Sequence, residues 1–289
     1  SFYILLHSLS RSGPRQPWEF ILVFFYIAIT IKGKVMADRH QDLIDRGSLT
    51  ARNGFKNEDD VVLTFNEWKT NSVAQDWLKA MQYKINEIES VTASKVRGHF
   101  KADVQLQINV VIKLKSQLDV QNLQVKLVSN KIGFNQIDKR WVDKYIELWD
   151  IPNEIGLLLK EYTGEVTPNK AGLRDSRRIY FNEMRATDRE KIIDFFIQNK
   201  IMIVSDLLRG RGSFTADWML VIHKVEGKIE WVLKSINHVM NVFGGGDVEF
   251  TANGNLKIGK ISMQRKGGDG GRMTANMLQF KINPIELFN

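Results

Sequence analysis

Residues 103–129 read DVQLQINVVIKLKSQLDVQNLQVKLVS, and their alternation sets the expected fold. Taken as a strand, Val120–Ser129 sends successive side chains to opposite faces. Leu123, Val125 and Leu127 then point one way, and Gln124 and Lys126 share the other face. The earlier run Asp103–Leu114 is also strand-like, and the short polar stretch Lys115–Asp119 would join the two as a hairpin. Such a hairpin brings Asp103 near the middle of the second strand. One carboxylate, one amide oxygen and one ammonium converge there, a set that can hold a Mg²⁺ ion and poise a water beside a phosphate. The same pattern also describes a half-exposed hairpin with polar residues on its wet face, and three residues alone do not choose between the two.

Upstream of the hairpin, Glu58–Asn71 reads as an amphipathic helix with Val61, Val62, Phe65 and Trp68 as its apolar stripe. Glu58 lies one turn earlier on the same side. A second helix is expected over Val73–Lys84. Downstream come a loop over Asn130–Gln136, a helix over Asp138–Trp149 broken by Pro152, and a further helix over Glu154–Tyr162. The polar stretch Thr163–Arg178, with Gly164, Pro168 and Gly172, reads as a long loop. Thr187 followed by Glu190 predicts a capping box opening a helix over Thr187–Lys200. Ala216–Val225 and Lys228–Leu233 read as strands and Ser235–Phe243 as a short helix. From Asp247 onward short strands are split by glycine turns, the last over Asn276–Ile282. A helical front, a strand pair and a mixed second half predict one α/β domain with a β-rich tail.

At 289 residues the chain can bury a substantial core, and 43% apolar with 26% charged residues is ordinary for a globular protein. The absence of cysteine excludes disulfides, thiolate zinc sites and a cysteine nucleophile. Five histidines occur, none paired at metal-ligand spacing, which argues against a histidine-and-metal site. The net charge of +8 permits a polyanionic partner. Lys257–Lys281 holds six basic residues and a single acid, Asp269, among glycines and amides. That composition suits a solvated basic face or close approach to a phosphate backbone.

The first 35 residues differ from the rest. Phe20–Ile31 is a nearly unbroken apolar run between Glu19 and Lys32, too short for the roughly 20 residues a bilayer span needs. No small-residue cleavage site follows, so a signal peptide fits poorly. The chain starts at Ser1 and its first methionine is Met36. The expectation is that residues 1–35 are upstream translation or a disordered extension, and that the domain spans 36–289. Without that segment, which carries four basic residues and one acid, the net charge is +5.

Four stretches are recognisable: NGFKNEDDV (53–61), LQVKLVSNKIGFNQIDKRW (123–141), LLRGRGSFTADWMLV (207–221) and QRKGGDGGRMTANMLQFKINPIELF (264–288). From about residue 45 to the end, in the same order, they resemble the HinP-type type II restriction endonucleases, which cut the palindrome GCGC. The resemblance implies the PD-(D/E)xK nuclease fold, a mixed sheet flanked by helices. It implies Asp103 as metal-binding aspartate, Gln124 in place of the class glutamate, and Lys126 as the class lysine. Ala102 stands where the class has proline. A neutral amide binds Mg²⁺ more weakly than a carboxylate, but the HinP-type family shares the glutamine.

By that resemblance the reaction is Mg²⁺-dependent hydrolysis of double-stranded DNA, leaving 5′-phosphate and 3′-hydroxyl ends. Asp103, Gln124 and the Val125 carbonyl would hold the metal, and Lys126 would orient the water. Glu58 is either a further source of negative charge or a first-turn glutamate favoured by the helix dipole. Phe134 would wedge between base pairs or anchor its loop on the following helix. Asn135 and Gln136 would read base edges and Lys139 a phosphate. Arg209 and Arg211 suit backbone contacts, and Gln264, Arg265 and Lys266 suit guanine O6 and N7. A cognate cytosine methyltransferase, a bacterial cytoplasm without membrane attachment, and a monomer or homodimer complete the expectation. The alternatives are a repair or nicking endonuclease of the same class, or a DNA-binding protein that has lost catalysis.

Overall fold

The computed structural model describes residues 58–289, apart from 99–100, 113–114, 131–132, 169–171 and 268–271. The expectations for residues 1–35, for a start at Met36 and for the apolar run Phe20–Ile31 lie outside the described residues. Among the described residues no helix is long and apolar enough to cross a membrane.

Two helices open the described chain. Helix α1 (Glu58–Asn66) begins with three acids, Glu58, Asp59 and Asp60, which suit the positive end of the helix dipole. It ends earlier than the Asn71 expected, because the Asn71 side chain serves the next helix. Its oxygen accepts from Val73 N at 3.1 Å and Ala74 N at 3.3 Å, capping α2 (Ser72–Ala80). Trp68, past the end of α1, is still buried, so the apolar stripe outlasts the helix.

The first sheet has the order β1-β2-β3-β5-β6, with β1 (Ile88–Lys95), β2 (Val104–Ile112), β3 (Lys115–Val128), β5 (Trp218–Val225) and β6 (Lys228–Ser235). Its pairs are antiparallel except β3 with β5, which run parallel from Leu123↔Trp218 to Val128↔His223. The hairpin is present, but its connection is not Lys115–Asp119. These residues pair one-to-one with β2, ending at Ile112↔Lys115. Leu118 is 63% exposed and Val120 42% exposed, so apolar side chains at these two positions face solvent.

Central strand β3 separates two cores. Leu123 and Val125, with Leu127 packed against them, join Val61, Phe65, Trp77, Leu220, Ile222 and Trp231 under α1 and α2. Trp77 meets Phe65 at 4.9 Å and Trp231 edge-on at 6.1 Å. Val128, Met219, Val221 and Val232 belong to the core on the opposite face. The expected split of Leu123, Val125 and Leu127 from Gln124 and Lys126 is therefore observed.

The second core lies against an all-antiparallel sheet of order β4-β10-β9-β8-β7. Its strands are β4 (Asn135–Arg140), β7 (Val248–Phe250), β8 (Leu256–Ile258), β9 (Ile261–Arg265) and β10 (Leu278–Ile282). Helices α3 (Val142–Trp149), α4 (Asn153–Thr163), α5 (Ala186–Gln198), α6 (Lys200–Leu208) and α7 (Ile236–Gly244) also contribute to this core. The helix expected from Asp138 starts at Val142 instead. Residues 135–140 form edge strand β4, and the Asp138 carboxylate is occupied by side chains rather than capping a helix. Thr187 is likewise inside α5, whose N-cap is Arg185. Ser235 does cap α7, accepting from His238 N at 3.4 Å. The fold is mixed α/β: two five-stranded sheets with helices against them.

Candidate active site

Asp103 sits just before β2, and two short backbone-linked contacts fix it against β3. Its N–H donates to Leu123 O at 2.7 Å, and its Oδ2 accepts from Val125 N at 2.7 Å. The side chain is thus held beside the face that carries Gln124 and Lys126. All three line a cleft of about 590 Å³ together with Lys101, Gln136, Asp138, Lys139 and Arg140. One wall is the first sheet and the other is edge strand β4 of the second.

Burial raises the Asp103 carboxyl above its ordinary range, while the Lys126 ammonium and the Val125 N–H oppose the shift. Burial lowers the Lys126 ammonium, and Asp103 opposes that in turn. Glu58 adds negative potential at both groups. It remains partly exposed and faces Lys95 Nζ at 3.6 Å, so it acts on the site through its field.

Gln124 is 3% exposed, and its Oε1 is buried without a hydrogen-bond partner. An unsatisfied buried carbonyl is costly. Facing a cleft beside a carboxylate, it is the type of oxygen donor that Mg²⁺ accepts. Among the described residues no three His, Cys, Asp or Glu side chains gather as a metal cluster. A cation here would rest on one carboxylate and an amide, and the residues present fit that role.

The family model for the R.HinP1I restriction endonuclease matches residues 81–288. The chain belongs to this restriction endonuclease family. A crystal structure of restriction endonuclease MspI in complex with its cognate DNA is similar over 78% of this chain and 87% of that chain, at a TM-score of 0.54 and 15% sequence identity. The fold is accordingly that of a restriction endonuclease. No curated protein sequence matches the chain.

The other residues expected of an R.HinP1I-type site divide into two groups. Gln136 and Lys139 line the cleft on β4. Phe134, just before β4, is 55% exposed and is no core anchor, while Asn135 Nδ2 donates to Gly133 O at 3.3 Å. Gly133 allows this close turn: a Cβ there would meet Val128 Cγ1 at 2.8 Å. Arg209, Arg211, Gln264, Arg265 and Lys266 do not line the cleft. Arg211 pairs with Asp206 at 2.6 Å. Arg265 donates Nη2 to Asn276 Oδ1 at 2.6 Å, and Lys266 N donates to Met277 O at 2.8 Å. Residues 268–271 of the glycine-rich loop lie outside the described residues.

Sequence reasoning missed Lys101, Asp138 and Arg140. Lys101 lies two residues before Asp103 in a stretch that is not strand, so alternation gives no signal for it. Asp138 could not be found that way either, because besides Arg140 on its own strand its partners are Tyr145 on the next helix and Lys101, 37 residues away. Lys101 Nζ lies 2.8 Å from its Oδ2, Arg140 Nε 2.9 Å and Tyr145 Oη 2.7 Å from its Oδ1. Burial alone would raise the Asp138 carboxyl, but Lys101 and the donated hydrogen bonds outweigh it and hold the group at about 2.

Proposed function

We propose that this chain is a type II restriction endonuclease that hydrolyses phosphodiester bonds of double-stranded DNA at GCGC with Mg²⁺, acting as a monomer or homodimer. The products are 5′-phosphate and 3′-hydroxyl ends, and cytosine methylation by a cognate methyltransferase protects the site. The observation that carries this reading is the meeting of Asp103, the orphaned Gln124 oxygen and Lys126 in one cleft, within a chain of a restriction endonuclease family.

Asp103, Gln124 and the Val125 carbonyl hold the cation. When bound, Mg²⁺ supplies Lewis acidity at the scissile phosphate and favours deprotonation of a nearby water. Lys126 orients that water against the phosphorus and offers a hydrogen bond to a phosphate oxygen, stabilising the charge that builds there. Burial lowers its ammonium pKa, which Asp103 opposes. Glu58 adds negative potential that Gln124 lacks. On the opposite wall Gln136 reads a base edge and Lys139 contacts a phosphate. Phe134 wedges between base pairs, and Asn135 reads a base edge beside it. Arg209 and Arg211 face the backbone, and Gln264, Arg265 and Lys266 approach guanine edges.

The test is cleavage of a plasmid containing GCGC, with the ends sequenced, by the parent and by Asp103→Ala and Lys126→Ala. Each variant is expected to lose cleavage by at least about a thousandfold while binding DNA within a few-fold, since affinity comes mainly from phosphate contacts elsewhere. Ends mapping to another sequence, or a variant within a few-fold of the parent rate, would reject the assignment.

A further inference from the structure

Three parts of the molecule converge on Lys101. Its backbone precedes the turn that presents Asp103. Its ammonium, on a side chain only 12% exposed, donates to Ile137 O at 2.7 Å and to Asp138 Oδ2 at 2.8 Å, both on β4. Its aliphatic stem lies under Gly210: a Cβ there would meet Lys101 Cγ at 2.5 Å, and Gly210 has φ +88°. The adjacent Ala102 N–H donates to Phe214 O at 3.3 Å, pinning the same loop.

The contact with β4 falls at an irregular point. Asp138 pairs with Phe280 and Gln136 with Lys281, which leaves Ile137 as the extra residue of a bulge. Bulges re-aim a strand next to a site. Strand β4 is at the edge of its sheet, and Lys101 is the donor that takes the Ile137 carbonyl. Asp138 is fixed from behind by Tyr145, which stacks on Trp149 at 4.7 Å and meets Phe280 at 5.3 Å.

We propose that Lys101 is a positioning residue that sets β4, with Gln136 and Lys139, in register with the metal-holding Asp103, so that occupation of one wall of the cleft is sensed by the other. The inference rests on the function proposed above for the two walls. Two of the three Lys101 N–H donors are taken by Ile137 O and Asp138 Oδ2, and the role needs no contact with the scissile phosphate. Without it, Asp103 and Lys126 keep their own contacts with β3, while β4 loses its tie to them.

Two measurements on the parent, Lys101→Met and Lys101→Arg separate the possibilities. The first is amide hydrogen exchange of residues 135–140 with and without Mg²⁺, which needs no DNA. In the parent Mg²⁺ should slow exchange in β4 several-fold, and in Lys101→Met it should slow exchange only around Asp103 and Val125. The second is single-turnover cleavage of GCGC and of single-base variants of it. Lys101→Met should lose at least tenfold in the ratio of cognate to near-cognate rates, and Lys101→Arg should recover part of it. If Lys101→Met does not fold, the double variant Lys101→Met/Asp138→Leu, which removes both buried charges, takes its place.

Metal-dependent protection of β4 that is missing in the parent, or that survives the substitution, overturns the proposal. So does an unchanged discrimination ratio, even with lower rates. A parent that cuts no GCGC but shows Lys101-dependent protection of β4 supports the positioning role and faults the proposed target instead.

Discussion

Val125 donates its backbone N–H to Oδ2 of Asp103 at 2.7 Å, while Asp103 returns its own N–H to Leu123 O at 2.7 Å. The pair fixes where the carboxylate stands relative to Gln124 and Lys126, using backbone groups that substitution of the neighbouring side chains does not remove. Site variants should therefore change chemistry before they change the fold.

Gln124→Glu is the most informative of these variants. It places a carboxylate at a 3% exposed position beside Asp103, where like charges repel and burial penalises both. The metal-free variant should be less stable than the parent by a few kcal/mol. Mg²⁺ should restore that loss, so the metal-induced rise in Tm should exceed the parent's. An equal or smaller rise would show that position 124 does not hold the cation.

Phe134 gives a prediction of the opposite kind. Being 55% exposed, it should tolerate Phe134→Ala with a stability change below about 1 kcal/mol. A buried anchor would instead cost roughly 3–5 kcal/mol. DNA bending, followed by energy transfer between labelled duplex ends, should decrease in the variant together with specific affinity. Unchanged bending would remove the wedge role and shift base reading towards Gln264–Lys266.

At position 102 a proline should be unwelcome. The Ala102 N–H donates to Phe214 O at 3.3 Å, and proline has no N–H to give. Ala102→Pro should lower stability by about 1 kcal/mol, seen as a fall of a few degrees in Tm, with cleavage within about tenfold of the parent. A rise in Tm would mean that this hydrogen bond contributes nothing.

Asp138 predicts how the protein meets acid. Its folded carboxyl is held at about 2 against an ordinary value of 3.8, so the folded state favours the charged form. The resulting stability, on the order of 2 kcal/mol, is fully present above about pH 4 and is lost as pH falls towards 2. Asp138→Asn should be less stable than the parent at neutral pH, and denaturant unfolding should find the gap narrowing across that window. A gap independent of pH would contradict the assignment.

What the sequence revealed follows from where burial was one-sided. On β3, Leu123 and Val125 enter one core and Val128 the other, and alternation is a sound guide for such a strand. On β4 only Ile137 is buried, so no period exists to read, and Asp138 was assigned to the start of a helix. Strand β1 failed for a similar reason, since Ile88, Val91 and Ala93 are its only buried side chains. The convergence of Asp103, Gln124 and Lys126 on one cleft was legible because one hairpin holds them all. The opposite wall was not, because it comes from a segment that local pattern does not connect to the hairpin.

That separation along the chain also has a consequence for synthesis. The hairpin bearing Asp103, Gln124 and Lys126 is complete by Val128 and forms from contiguous sequence. Strand β4 must wait for β10, with Asn135 paired to Ile282 and Arg140 to Leu278, and such long-range pairing is slow to form. A ribosome-bound chain that has not yet released Leu278 carries Asp103, Gln124 and Lys126 without the wall facing them. In a chain assembled in this order, the second wall of the cleft would arrive only with the last strand.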